Sequence, residues 1–294
     1  MKKKLLLLGS EGMLGHVSLI KLSEKFLVYA TTKQKKSFLF KRLKITPNVI
    51  FFDKVDLTNF LLLKKIIKKI KPDYILNCAG VINKKINNST KINSIIINCL
   101  LPHQLAHISD LNNIRFIHIS TDCVFDGKKG NYFENDEKNP YDFYGQTKSV
   151  GEEFVSKNSL IIRTSIIGHE IKSKFGLLEW FLNSKKKISG YSGFSYSGLT
   201  TLELQKYILF FLNHKKFTGI INIASKQITK YELLKIIKKV YNKKIIINKN
   251  RTVIKNMVLK SKRLKDKTIK KPQNWKKQLE DLKEFYEEKY KHVK

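Results

Sequence analysis

The chain has 294 residues, 42% of them hydrophobic and 11% aromatic, and its 58 Lys and Arg against 24 Asp and Glu give a formal net charge of +34. This apolar content excludes a disordered polybasic tail, and the length suits one large domain or two. Only five of the cations are arginines, so no nucleic-acid partner is expected: base and phosphate recognition leans on the arginine fork, and the lysines travel with the Ile and Asn of A/T-rich coding.

In chain order, the apolar run 5–8 stops at Gly9. It is too short for a signal or a span, and no other stretch approaches eighteen apolar residues, so a cytoplasmic protein with no membrane partner is expected. Strand-like runs at 4–8, 27–31, 49–52, 74–77, 115–119 and 160–163 alternate with segments of helical length at 13–25, 58–71, 92–108 and 144–157. Parallel strands need a helical crossover each, so the pattern predicts a doubly wound α/β sheet. The second half predicts helices over 174–187, 200–214, 229–241 and 275–290 and a strand over 219–224. Thr229 followed by Glu232 is a capping-box signature. The basic stretch 242–271 reads as short strand and loop. Cys78, Cys99 and Cys123 are scattered without a CxxC pair, which argues against both a disulfide framework and a metal site.

The first strand runs into Gly9-Ser-Glu-Gly12-Met13-Leu14-Gly15. Glycines at this spacing allow a tight turn, close approach of a pyrophosphate to the backbone, and packing of the next helix on the strand, with phosphates at the helix N-terminus. The alternative is a glycine-rich packing turn. At the end of the second strand a strict NAD binder usually offers an acid to the ribose, but here the chain reads Ala30-Thr31-Thr32-Lys33. Thr32 and Lys33 suit a 2′-phosphate, so NADPH is the expected cofactor, with NADH as the alternative. Asp56 and Leu57 are candidates for the adenine side, Asp56 equally for an ordinary helix-start acid, and Cys78, Ala79 and Gly80 place small residues where a cofactor must pass.

Thr121 follows the fifth strand, and Tyr144 and Lys148 lie one helical turn apart. A phenol titrates near 10, so an adjacent ammonium is expected to lower it toward the working range, while Thr121 orients a carbonyl. The set reads as a carbonyl reductase. A Tyr-x-x-x-Lys pair alone is commonplace in a lysine-rich chain; its order and distance from the glycine turn are what distinguish it.

These residues resemble the extended short-chain dehydrogenase/reductases, and among them the dTDP-4-dehydrorhamnose reductase family. The resemblance runs through GSEGMLG, DLTN at 56–59, KPDYILNCAG at 71–80, Ile97-Asn98, the block from Ser120 to Glu153 and IIRTSIIG at 161–168. It implies a Rossmann-type domain over 1–168, to which 200–225 returns, and a smaller substrate lobe from 169–199 and 226–294. It implies reduction of the 4-keto group of a nucleotide-linked 6-deoxyhexose by NAD(P)H for polysaccharide synthesis, with Thr121, Tyr144 and Lys148 catalytic and Asn98 at the cofactor. Ser120, Asp122, Val124 and Trp180 are the implied substrate contacts, and a homodimer is left open. Related 4,6-dehydratases carry Thr-Asp-Glu where this chain has Thr121-Asp122-Cys123, which argues against elimination. A nucleotide-sugar epimerase and a non-catalytic NADP-binding subunit remain alternatives. Phe175–182 and the YSGFSYSGLTT segment depart from the family, which leaves the nucleobase and sugar open.

Overall fold

The computed structural model describes residues 2–82, 86–265 and 269–291. The first half contains β1 (Lys4–Leu8), α1 (Gly15–Ser23), β2 (Leu27–Thr31), α2 (Ser37–Arg42), β3 (Val49–Phe52), α3 (Phe60–Ile70), β4 (Tyr74–Asn77), α4 (Lys91–Ile95), α5 (Leu101–Leu111), β5 (Arg115–Thr121), α6 (Phe143–Val150) and β6 (Ser159–Thr164). After these come β7 (Ile166–Ile167), α7 (Leu177–Asn183), β8 (Lys187–Tyr191), β9 (Phe194–Tyr196), β10 (Leu199–Thr200), α8 (Thr201–Asn213), β11 (Gly219–Asn222), β12 (Ile228–Thr229), α9 (Lys230–Val240), β13 (Ile246–Asn250), β14 (Lys255–Asn256) and α10 (Trp275–Lys289).

Seven strands form one parallel sheet in the order β11-β6-β5-β4-β1-β2-β3. The winding reverses between β1 and β4, and the crevice at the carboxyl ends of these strands is where such sheets take their ligands. Strand alternation divides the core. Leu5 and Leu7 of β1 face one layer with Val17, Leu204, Ile208 and Phe211, while Leu6 and Leu8 face the other with Leu63, Ile67, Leu101 and Leu105. Each such leucine, fully buried, is worth about 1.5–3 kcal/mol, which fixes the register of the strand carrying the glycine turn.

A third core of Leu178, Phe181, Leu233, Ile237, Leu279 and Leu282 is built by α7, α9 and α10 beside the small sheets β8–β13 and β12–β9–β14. The capping box of Thr229 and Glu232 opens α9. Helix α10 serves both regions, because Phe285 and Tyr290 pack into the core of the large sheet. Burial lowers the His16 pKa to about 4, so its neutral ring donates from Nδ1 to Gly12 O at 2.7 Å and accepts the Tyr290 hydroxyl at Nε2.

Three expectations change in detail. The helix expected over 92–108 is α4 and α5 joined by a π-helical turn, Ile96–Leu100. The one expected over 144–157 stops at Val150, and Gly151 follows at a place so close to Asn98 O that a Cβ there would lie 2.0 Å from it. The one expected over 174–187 is the shorter α7, since residues from Lys187 pair with β13. Of the 242–271 stretch, residues 266–268 lie outside the described residues. Among the described residues, no helix is long and apolar enough to cross a membrane.

Candidate active site

The glycine turn makes one end of a cleft. Gly9 has φ +74°, and a Cβ there would lie 2.8 Å from the Ala79 backbone, so only glycine lets β1 end this close to the β4 loop. Gly12 N donates to Gly9 O at 3.0 Å, and a Cβ on Gly15 would lie 2.0 Å from Gly9 O, so Gly15 lets α1 start tight on the turn. A compartment of about 220 Å³ runs from Gly9 and Gly12 past Thr32, Lys33, Asp56 and Leu57. A second, of about 500 Å³, carries Met13, Leu14, Ser120, Thr121, Asp122, Tyr144, Lys148 and Phe175. They share Glu11, Gly12, Cys78, Ala79 and Gly80, so they form one cleft along the carboxyl ends of the strands.

Tyr144 and Thr121 come together because α6 lies against the turn after β5. Asp142 starts α6 by accepting from Gly145 N at 2.8 Å, and Gly145 is required because a Cβ would lie 2.2 Å from Cys123 O. Thr121 Oγ1 accepts from Cys123 N at 3.1 Å and donates to Asp122 Oδ1 at 3.2 Å. Burial raises the Asp122 carboxyl. Ser120 Oγ is buried on the cleft wall with no hydrogen-bond partner among the described residues.

The expected lowering of the Tyr144 phenol is not found. Burial, joined by the charges of Cys123 and Asp122, holds it above its ordinary value, and a hydrogen bond with Thr121 offsets only part of this. Lys148 is itself buried and pushed down to about 8. Its Nζ donates to Ile119 O at 2.7 Å and lies 3.0 Å from His118 Nε2.

Four predicted contacts are not on the cleft wall, the first being Gly15, which is buried against Gly9 O and serves packing of α1 on the turn. Asn98 sits behind the wall on the π turn, where Oδ1 accepts from Val81 N at 2.8 Å and Nδ2 donates to Val81 O and Thr147 Oγ1, clamping the loop after β4 to α6. Val124 is buried with Phe125, Tyr132 and Leu259 because the turn after Thr121 directs it inward. Trp180 stands half-exposed on α7, and Phe175 takes the place at the cleft. Thr32 is on the wall, but the single proton of its hydroxyl is already shared between two acceptors, Gln34 O at 2.6 Å and Asp53 Oδ1 at 3.0 Å. Asp56 is held low by the amide and hydroxyl of Thr58.

Sequence reasoning missed Glu11 and His118. Glu11 lies inside the glycine turn itself, and His118 two residues before Ser120 on the same strand face; strand alternation would have placed His118 beside Lys148's helix.

Sheet order, glycine turn and crevice define a Rossmann-type nucleotide-binding α/β protein. The family described as RmlD substrate binding domain matches residues 3–186, and the chain belongs to it. A dTDP-4-dehydrorhamnose reductase from Aggregatibacter actinomycetemcomitans is 34% identical over 118 residues, 39% of this chain and 40% of that protein. The matches thus span about two fifths of the curated relatives' length. Among solved structures, dTDP-4-dehydrorhamnose reductase from Bacillus anthracis in complex with NADP superposes with a TM-score of 0.77 at 21% identity, covering 96% of this chain and 99% of that one. The hypothetical dTDP-4-dehydrorhamnose reductase from Sulfolobus tokodaii gives 0.72 at 29%, covering 90% and 94%.

Proposed function

We propose that the chain is an NAD(P)H-dependent reductase of the 4-keto group of a nucleotide-linked 6-deoxyhexose, acting in the cytoplasm in the synthesis of a polysaccharide. The observation that carries this reading is that Thr121, Tyr144 and Lys148 share one wall of a cleft that begins at the Gly9 turn. The cleft fits a dinucleotide on its own terms: a cradle at Gly9 that a Cβ would fill, and an orphaned Ser120 hydroxyl farther along. Gly9 to Leu14 would hold the pyrophosphate at the start of α1, with Asp56 and Leu57 at the adenosine end. A reduced nicotinamide bound there supplies the hydride.

Tyr144 does the acid work. Its raised pKa keeps the phenol protonated at neutral pH, the state a proton donor needs, and its proton goes to the carbonyl oxygen as the new C–H bond forms. Thr121 holds that oxygen toward the phenol, and Ser120 offers a second hydroxyl. The Lys148 ammonium stabilises the phenolate until water reprotonates it. The substrate's nucleotide would extend past Phe175, where the family's pattern is replaced.

The test is a panel of dTDP-, UDP- and GDP-linked 4-keto-6-deoxyhexoses assayed for NADPH and NADH oxidation. One equivalent of cofactor consumed per 4-hydroxy sugar formed supports reduction; product with an unchanged cofactor pool means an epimerase.

A further inference from the structure

The end of β2 lacks an acid in sequence, yet folding delivers one there from another element. Glu11, between Ser10 and Gly12, reaches across the crevice so that its Oε2 accepts from Lys33 N at 2.6 Å. Its Oε1 is buried and ion-paired with the Lys172 ammonium at 2.6 Å without an aligned hydrogen bond, which leaves lone pairs on the carboxylate for further donors. Lys172 is itself held 4.8 Å from the centre of the Phe38 ring. Glu11 lines both compartments, standing where the adenosine half of the cleft meets the rest.

We infer that Glu11 is the acceptor for the adenosine ribose hydroxyls of the dinucleotide and that it selects NADH over NADPH. The inference rests on the dinucleotide reading of the cleft. A ribose diol brings two O–H donors, and a carboxylate whose two oxygens each hold only one partner, Lys33 N and Lys172, has lone pairs left to accept them. A 2′-phosphate would bring a dianion to the same carboxylate. The groups that would otherwise welcome it are engaged or screened: the Thr32 hydroxyl is bonded to Gln34 O and Asp53, Lys172 is paired with Glu11, and Lys33 is exposed to solvent. Substrate choice does not enter, because the relationship concerns only the cofactor's 2′ position.

Fluorescence titration of the full chain with NADH and with NADPH at low ionic strength tests it without any sugar substrate. Like-charge juxtaposition predicts that the wild type binds NADH at least about tenfold more tightly. Glu11→Gln, which keeps an acceptor for Lys33 N, should weaken NADH, strengthen NADPH and bring the ratio close to unity. Lys172→Met has the opposite sign: it leaves the carboxylate uncompensated and should widen the preference for NADH. Equal or tighter binding of NADPH by the wild type, or a ratio unmoved by Glu11→Gln, overturns the inference while leaving the cofactor site intact. Failure of both dinucleotides to bind overturns the site reading itself.

Discussion

Lys148 Nζ lies 3.0 Å from Nε2 of His118, and the other nitrogen of that ring lies 3.2 Å from the Asn77 amide nitrogen. Ala79 N donates to Asn77 Oδ1 at 3.0 Å, which turns the Asn77 NH2 toward His118. His118 Nδ1 is therefore an acceptor, and burial keeps the ring neutral, so its single proton sits on Nε2 and points at Lys148. Burial brings Lys148 to about 8, against the opposing charges of Glu152 and Cys78, and a ring N–H facing the ammonium also favours loss of a lysine proton. For a base whose pKa is depressed, the charge is present below that value and lost above it. Activity should be level at neutral pH and fall as pH rises through about 8; a kcat profile flat to about pH 10 would contradict this.

Two substitutions should move that limb in opposite directions. His118→Gln can turn a carbonyl oxygen to Lys148 and should shift it upward. Glu152 favours the ammonium, so Glu152→Gln should shift it downward. Matching shifts from both variants would show that neither group acts through charge.

Tyr144→Phe removes the proton donor and leaves the ring in place. Turnover should fall by about 10² to 10⁴, while dinucleotide binding changes by less than about threefold. Unchanged turnover would remove Tyr144 from the chemistry.

Gly145→Ala places a Cβ 2.2 Å from Cys123 O. Helix α6 must then move off the turn that carries Thr121, which should cost about 1–3 kcal/mol of stability in urea unfolding and lower kcat more than it raises KM for the cofactor.

Arg163 and Glu152 form a nearly solvent-free pair, Nη2 to Oε2 at 2.7 Å and Nε to Oε1 at 3.2 Å. Removing the carboxylate with Glu152→Ala should destabilise the protein by about 3–5 kcal/mol, because the guanidinium is left buried and unpaired. A loss below about 1 kcal/mol would mean that water reaches Arg163.

Much of the fold was legible because period and spacing are local properties. The sheet strands were visible as short apolar runs at 4–8, 27–31 and 74–77, and the glycine turn announced the crevice. What was hidden depends on contacts between distant segments. Nothing in the 92–108 pattern marks the π turn that aims Asn98 at Val81 and Thr147, and nothing after Lys148 shows that position 151 will leave no room for a Cβ beside Asn98 O. The acid sought at the end of β2 arrives from Glu11, 22 residues earlier than Lys33. The phenol expected to be lowered by Lys148 is instead raised, because sequence spacing predicts proximity but not burial.

The most direct measurement is hydride transfer traced by isotope. The protein would be incubated with a nucleotide-linked 4-keto-6-deoxyhexose and NADH or NADPH deuterated at nicotinamide C4 on either face. Stoichiometric cofactor oxidation with deuterium at sugar C4 in the wild type, and almost none with Tyr144→Phe, is the predicted result. Absence of deuterium at C4 across the nucleotide panel, despite demonstrated cofactor binding, would contradict the assignment as a 4-keto reductase.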